Sequence, residues 1–538
     1  MIFQASFYKS KKVLLVEDCE PVRASIKGML QQIGFEDITT VNDAVQAMPL
    51  AAKDNFDFIL ADFDLGTGKD ALQFFAELSS QARLRVGCCF ILMSAEPRRL
   101  PVLGVLNGAP DSFILKPFSY VELEKRLAKA WNSRVKLRKA YLALQQKDYK
   151  TAQAELDVII NAVNSSSLLA LRIMAEVLLI ESNYAAAIKL YEQVTQQRDF
   201  SWAKLGKAVA IMQSGELASA EAQLLLMLEQ DDIRPEALEW LACLYLRQGN
   251  ITLATKQLSE LLKLQPSHLA AQRVMACILL QQGQLDAAVK HWQKLIQQYR
   301  FSAFDDAGYY FSLTRLLLEQ AAAAPLNNFA AALKKAAEAL SSMPQKLLTE
   351  HTEPVVFILR ARISLLQGNM LDAKQALSQL PASDANSTPE YIIDRVRLAF
   401  ALGDIKAADA DLKRLEQFSA LKADLHAECQ RLKAQYLQQQ EQQLRTQIRQ
   451  WNQAGMDAAQ SGDAKQALTL LRQAFMLMPC NAALVLNLLQ TLGQLPFDRA
   501  LKPMVKAAML ALELSSKTAA NQQRLAQLLP QLPEAYLE

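Results

Sequence analysis

The sequence predicts a molecule in two parts, a doubly wound α/β domain at the amino end and a long all-α array of helical hairpins behind it. Three observations carry this. Five short apolar runs alternate with helix-length segments between residues 10 and 131. Acidic, hydroxyl and lysine residues stand at the ends of four of those runs. Further along, a glycine turn recurs with a period of 34 residues.

The runs are KVLLV (12–16), DITTV (37–41), FILA (58–61), VGCCFILM (86–93) and SFIL (112–115). Strands separated by helical stretches make βαβ units with a buried parallel sheet. Five strands and five helices in this length suit a flavodoxin-like domain, whose site lies outside the carboxyl ends of the strands. Glu17-Asp18, Asp62, Ser94 and Lys116-Pro117 each follow such a run. The topology therefore gathers three carboxylates, a hydroxyl and an ammonium in one crevice. Crowded carboxylates repel, and a hard cation such as Mg²⁺ relieves the repulsion while accepting oxygen ligands. The same ion neutralises charge on a transferring phosphoryl group. Lys116 offers a point charge to Asp62 or to the phosphate, and Ser94 a hydroxyl to a phosphoryl oxygen. Singly, a Glu-Asp pair marks a helix start and Lys-Pro a loop. Their order at successive strand ends is what points to phosphoryl acceptance.

On these residues the segment from about 10 to 130 resembles the receiver domain of bacterial two-component response regulators. The resemblance implies that Asp62 is the phosphoacceptor. It implies that Glu17 and Asp18 hold a divalent ion, with help from Asp62 and the main-chain carbonyl of Asp64. Ser94 and Phe113 would carry the signal to the surface made by the fourth helix, fifth strand and fifth helix; Phe113 reads equally as a plain core aromatic. Gly66 stands where receivers often have Pro, and Asp70-Ala71 replaces a usual Asp-Gly. The helix expected after Ser94 is weakly written, with Pro97, Pro101, Gly104 and Gly108 in or beside it.

Beyond residue 131, SGELASA, QGNITLA and QGQLDAA place Gly215, Gly249 and Gly283 34 residues apart, each with an apolar residue two on and Ala five on. That period and turn are similar to tetratricopeptide repeats. Weaker copies lie at Lys147-Asp148-Tyr149, Ser182-Asn183-Tyr184, Asn327, Gly368, Gly403 and Gly462. A small residue seven positions before the turn recurs as Ala140, Ala175, Ala208, Ala242, Ala276, Ala361 and Gly455. Pro266, Pro344 and Pro479 lie 17 residues after their turns, where they end a second helix. The reading is about nine hairpins stacked into a superhelix, regular over 132–300 and divergent over 301–538. A long helix is expected near 419–452, either an elongated repeat helix or a coiled-coil segment. The resemblance places Arg172, Glu176, Trp202, Glu239, Arg247 and Arg273 as candidates for the inner, partner-binding face.

No Gly, Ser or Pro-rich linker follows Lys116-Pro117. The fifth helix is expected either to run into the first repeat helix or to break at Trp131-Asn132-Ser133. The net charge of +3 with no basic stripe argues against nucleic acid, and no apolar stretch reaches membrane-spanning length. Seven cysteines without metal-ligand spacing, and an amino terminus with no apolar core of a leader, suggest the cytoplasm. The expected protein is a non-enzymatic response regulator. A sensor histidine kinase or phosphotransfer protein would donate to Asp62, and an unidentified protein or peptide would bind the repeats. Two alternatives are a modulator or phosphate sink acting on the kinase, and a scaffold with an inert receiver.

Overall fold

The apolar runs form a parallel sheet of β1 (Lys12–Val16), β2 (Asp37–Val41), β3 (Phe58–Asp62), β4 (Cys89–Ser94) and β5 (Ser112–Leu115), in the order β2-β1-β3-β4-β5. The computed structural model describes residues 3–65, 71–80, 84–95, 110–162, 167–266, 268–301, 304–323, 326–384, 387–417, 424–515 and 518–536. The segment after Ser94 with Pro97, Pro101, Gly104 and Gly108, and the pair Gly66 and Asp70, lie outside them. The chain divides into two units, residues 1–268 with 301–304 and residues 269–300 with 305–538.

In the first unit both sheet faces are covered. One carries α3 (Ala44–Lys53) and α4 (Ala71–Ser80), with Ala47, Phe74 and Leu78 against Leu14 and Phe90. The other carries α1 (Ala5–Lys9), α2 (Glu20–Ile33) and the start of α5 (Tyr120–Gln145), with Tyr8, Leu30 and Leu123 against Leu15 and Phe58. Adjacent strand residues face opposite ways, so Cys88 packs in the first core and Cys89 in the second. β4 begins three residues later than the expected run, because the Cys88 amide hydrogen-bonds back to the Arg85 carbonyl in a turn through Gly87.

Helix α5 is 26 residues long and runs through Trp131-Asn132-Ser133 without a break. Trp131 is held 5.5 Å from the Phe7 ring and 5.3 Å from Phe58, with the Lys11 ammonium 4.3 Å from its own ring. Leu123, Leu127 and Ala130 belong to the sheet core, while Leu137 and Ala140 belong to the core of the first hairpin. Arg134 lies between these two sets on the same stripe, spaced three and four residues from its neighbours. Its Nε is 2.7 Å from Asp111 Oδ1, and Asp111 also accepts the Phe90 amide at 2.8 Å.

Hairpins follow. In the first unit α5 pairs with α6 (Tyr149–Asn161), α7 (Ser167–Ile180) with α8 (Tyr184–Gln197), α9 (Ser201–Ser214) with α10 (Leu217–Met227), and α11 (Arg234–Arg247) with α12 (Ile251–Leu264). In the second, α13 (Leu269–Gln281) pairs with α14 (Leu285–Tyr299), α15 (Ala307–Ala323) with α16 (Leu326–Ser341), α17 (Glu353–Leu366) with α18 (Met370–Gln379), α19 (Pro389–Ala401) with α20 (Ile405–Gln417), and α21 (Leu425–Gln460) with α22 (Ala464–Leu477). α23 (Ala482–Gly493), α24 (Lys502–Leu514) and α25 (Ala519–Leu528) continue past the last expected repeat.

The turns share one backbone geometry. Gly215, Gly249, Gly283, Gly368, Gly403 and Gly462 have positive φ, as do Lys147 and Ser182 at two turns that lack glycine. A left-handed residue after a helix closes the orphan carbonyls, and glycine pays least for it. Close packing explains the small residue seven positions earlier: a Cβ on Gly455 would lie 2.7 Å from Leu471. One expected turn is displaced, because Asn327 falls in the first turn of α16, and the connection before it lies outside the described residues. The long helix α21 starts at Leu425, where the Asp424 side chain accepts the Ala427 amide, and it runs on to the Gly462 turn as a repeat helix. Its Leu425, Leu432 and Ile448 are buried within this chain.

Candidate functional site: the carboxyl edge of the sheet

Each residue expected at the site lies at or just after a strand end. Glu17 and Asp18 follow β1, Asp62 closes β3, Ser94 closes β4 and Lys116 follows β5. Parallel pairing sets Asp62 beside Met93, while the Lys116 amide bonds the Ser94 carbonyl at 2.8 Å. The Lys116 ammonium reaches across the edge to Glu17 Oε2 at 2.6 Å and Asp62 Oδ1 at 3.0 Å. Glu17, Asp18 and Asp62 each present a carboxylate oxygen, and the three lie within 4.8 Å of one another. Among the described residues they are the one cluster of that composition.

Burial and charge oppose each other here. Burial pushes the Glu17 and Asp62 carboxyls up, and Lys116 pulls them partly back. For Lys116 burial works against the charge, but Glu17 and Asp62 outweigh it and raise the ammonium. Three carboxylates face one ammonium, so oxygen lone pairs remain available, and oxygen-only donors suit a hard divalent cation. Asp18 is exposed and Glu17 almost wholly buried, so the cluster spans the rim and the floor of the crevice.

The remaining expected residues are placed as follows. Ser94 is buried, Asp64 is in the exposed turn after β3, and Phe113 is half-buried against the core on the α3–α4 face. Arg23, which the sequence did not single out, donates to the main-chain carbonyls of Glu17 at 2.6 Å and Asp18 at 3.3 Å. It fixes the loop carrying both acids. Its position one turn into a helix that begins right after an acidic pair is the signal that reveals it.

The six groove candidates all lie on first helices of hairpins, namely α7, α9, α11 and α13. In the first unit Arg172 stacks over Trp202 at 5.8 Å, Glu176 is buried, Glu239 pairs with His268 at 3.6 Å, and Arg247 is half-buried. In the second unit Arg273 is held by Asp306 at 3.0 Å and the Tyr309 hydroxyl at 2.7 Å. There the amino half of α21 packs on α13 and α19, and Tyr436 bonds Glu319 of α15 at 3.3 Å. The chain's own long helix thus lies against those first helices.

Residues 13–128 match the response regulator receiver domain model, and residues 271–302 match that of a tetratricopeptide repeat. Chemotaxis protein CheY-3 of Vibrio cholerae serotype O1 is 25% identical over 126 residues, covering 23% of this chain and 95% of that protein. CheY of Pseudomonas aeruginosa is 25% identical over 118 residues, 22% of this chain and 94% of that one. The receiver domain of a sensor histidine kinase from Pseudomonas aeruginosa PAO1, solved with magnesium coordinated in its active-site cleft, is 27% identical. It covers 23% of this chain and 98% of its own, with a TM-score of 0.21. The chain is a response-regulator receiver fused to tetratricopeptide repeats. Among the described residues no helix is long and apolar enough to cross a membrane.

Proposed function

We propose that this protein is a phosphorylation-controlled interaction protein of a two-component relay, in which Asp62 takes a phosphoryl group from a sensor histidine kinase or phosphotransfer protein. The observation that carries the reading is the Lys116 ammonium held between Glu17 and Asp62 beside a third carboxylate at the sheet edge. A carboxylate oxygen of Asp62 attacks phosphorus, the bond from phosphorus to the donor's imidazole nitrogen breaks, and an acyl phosphate forms on Asp62. Glu17, Asp18, Asp62 and the Asp64 main-chain carbonyl would hold Mg²⁺, which would supply positive charge to the phosphoryl oxygens. Lys116 then leaves its pairing with the free Asp62 carboxylate for a phosphoryl oxygen, and the Ser94 hydroxyl donates to another. Phe113 of β5, paired with Leu92 of β4, would respond to the Ser94 hydroxyl at the end of that neighbouring strand.

The receiver is taken as residues 10–131, the regular repeats as 132–300 and the divergent ones as 301–538, in a cytoplasmic protein. Because α5 contributes to both the sheet core and the first hairpin core, a change at the sheet edge has a rigid element through which to reach the repeats. The partner is a protein or peptide segment on the first-helix face around Arg172 and Trp202. Acetyl phosphate with Mg²⁺ is expected to phosphorylate the purified chain and to leave Asp62→Asn unmodified. Absence of an acid-stable, base-labile phosphate on the wild type under these conditions leaves a scaffold with an inert receiver. A pull-down with both phosphorylation states then separates a downstream partner from capture of the kinase alone.

A further inference from the structure

Cys277 on α13 and Cys429 on α21 are 152 residues apart in sequence, and their sulfur atoms are 3.4 Å apart in the second unit. Both are buried, yet Cys429 lines a cavity of about 340 Å³ bounded also by Arg273, Trp292, Glu390 and Lys433. Lys433 stands one helical turn after Cys429, and Arg273 one turn before Cys277. Each thiol therefore has a cation on its own helix face. Nearby cations favour thiolate, the reactive form of cysteine.

We propose that Cys277 and Cys429 are an oxidisable pair, converted by a peroxide into a disulfide that staples the long helix α21 to α13. The Cys429 thiolate attacks one oxygen of the peroxide, the O–O bond breaks, and hydroxide leaves a sulfenic acid. Cys277 then attacks that sulfur as thiolate, the S–O bond breaks, and water leaves with the proton that Cys277 gives up. The sulfurs need only close from 3.4 Å to the roughly 2.0 Å of a disulfide. The contact with Cys277 holds the Cys429 thiol below its usual range, with Lys433 and Arg273 helping against burial, while the same contact and burial push the Cys277 thiol up, so Cys429 is the attacking sulfur and Cys277 the resolving one. Since α21 lies on the first helices of its unit, the staple fixes this helix where it covers them. Disulfides in reducing compartments are characteristically transient and redox-sensing.

The test uses the reduced full-length protein and hydrogen peroxide, followed by alkylation, non-reducing digestion and mass spectrometry. A peptide pair joining Cys277 to Cys429 is expected, formed roughly tenfold faster than buried Cys243 or Cys480 loses its thiol. In Cys277→Ala, dimedone is expected to trap Cys429 as its sulfenic acid. The proposal is overturned if both thiols of the wild type remain alkylatable after unfolding while exposed Cys19 is fully oxidised. It is equally overturned if Cys429 accumulates as sulfinic acid with no cross-link, and neither result depends on the variant folding.

Discussion

Two clusters of carboxylates and cations in this molecule have opposite balance. At the sheet edge Glu17, Asp18 and Asp62 share one ammonium, that of Lys116. In the second unit two carboxylates share three cations. Asp394 binds Arg315 at 2.6 Å and Arg362 at 2.6 Å, and Glu390 binds Lys433 at 2.8 Å and the Arg315 guanidinium. The first cluster keeps oxygen lone pairs for an incoming ion or phosphoryl group. The second has none to spare, because its carboxylate oxygens already face fixed donors inside packed helices. A cluster of charges is a site for chemistry when its valences are unfilled, and a structural joint when they are filled.

The strongest way to break this contrast is Asp394→Ala. Its side chain has no exposure, and its loss takes the carboxylate from buried Arg362 and leaves buried Arg315 with Glu390 alone. We expect a destabilisation of about 5 kcal/mol, the upper end for breaking a buried pair, seen in chemical denaturation of the second unit. Next comes Arg134→Met, which leaves buried Asp111 without its partner. It should cost about 3 kcal/mol and raise hydrogen exchange across residues 128–138, with no direct contact to Asp62 lost.

Acid sharpens the comparison. Burial pushes the Glu390 carboxyl up, but Arg315 and Lys433 outweigh it and hold it at about 2, from an ordinary 4.5. A lowered folded-state value means stability that is fully present above pH 4.5 and lost as the pH falls toward about 2. The loss should reach roughly 3 kcal/mol, and denaturation midpoints of the wild type followed between pH 5 and 2 by circular dichroism will show it. The smallest effect is at the open cluster. Mg²⁺ at about ten times its dissociation constant should stabilise the first unit by about 1.4 kcal/mol, a shift in melting temperature that Asp18→Asn abolishes.

How much of this the sequence disclosed follows from the same contrast. Acids at strand ends are legible because each follows an apolar run that fixes its place in the sheet, and the topology then assembles them. The turns at Lys147 and Ser182 were legible despite lacking glycine, because Asp148 and Asn183 follow as helix caps and their side chains accept the Thr151 and Ala186 amides. Arg134 was not legible as part of a core. An arginine in an apolar stripe reads as a solvated break until Asp111, at the start of another strand, is known to meet it. Arg315, Glu390, Asp394 and Lys433 resemble ordinary exposed helix residues for the same reason. Their partners lie on different hairpins, and nothing local announces them.

Helix α5 has a consequence for anyone who would exchange modules of this protein. The receiver match ends at residue 128, and the counter-ion of Asp111 lies beyond it, on the part of the helix that belongs to the first hairpin. An excised receiver keeps a buried acid with nothing to neutralise it. A foreign receiver grafted onto these repeats must bring an acid to the Asp111 position, or Arg134 is left as a solitary charge in an apolar seam. The point of compatibility between such modules is thus one ion pair, and partner exchange in evolution or in the laboratory has to conserve it as a unit.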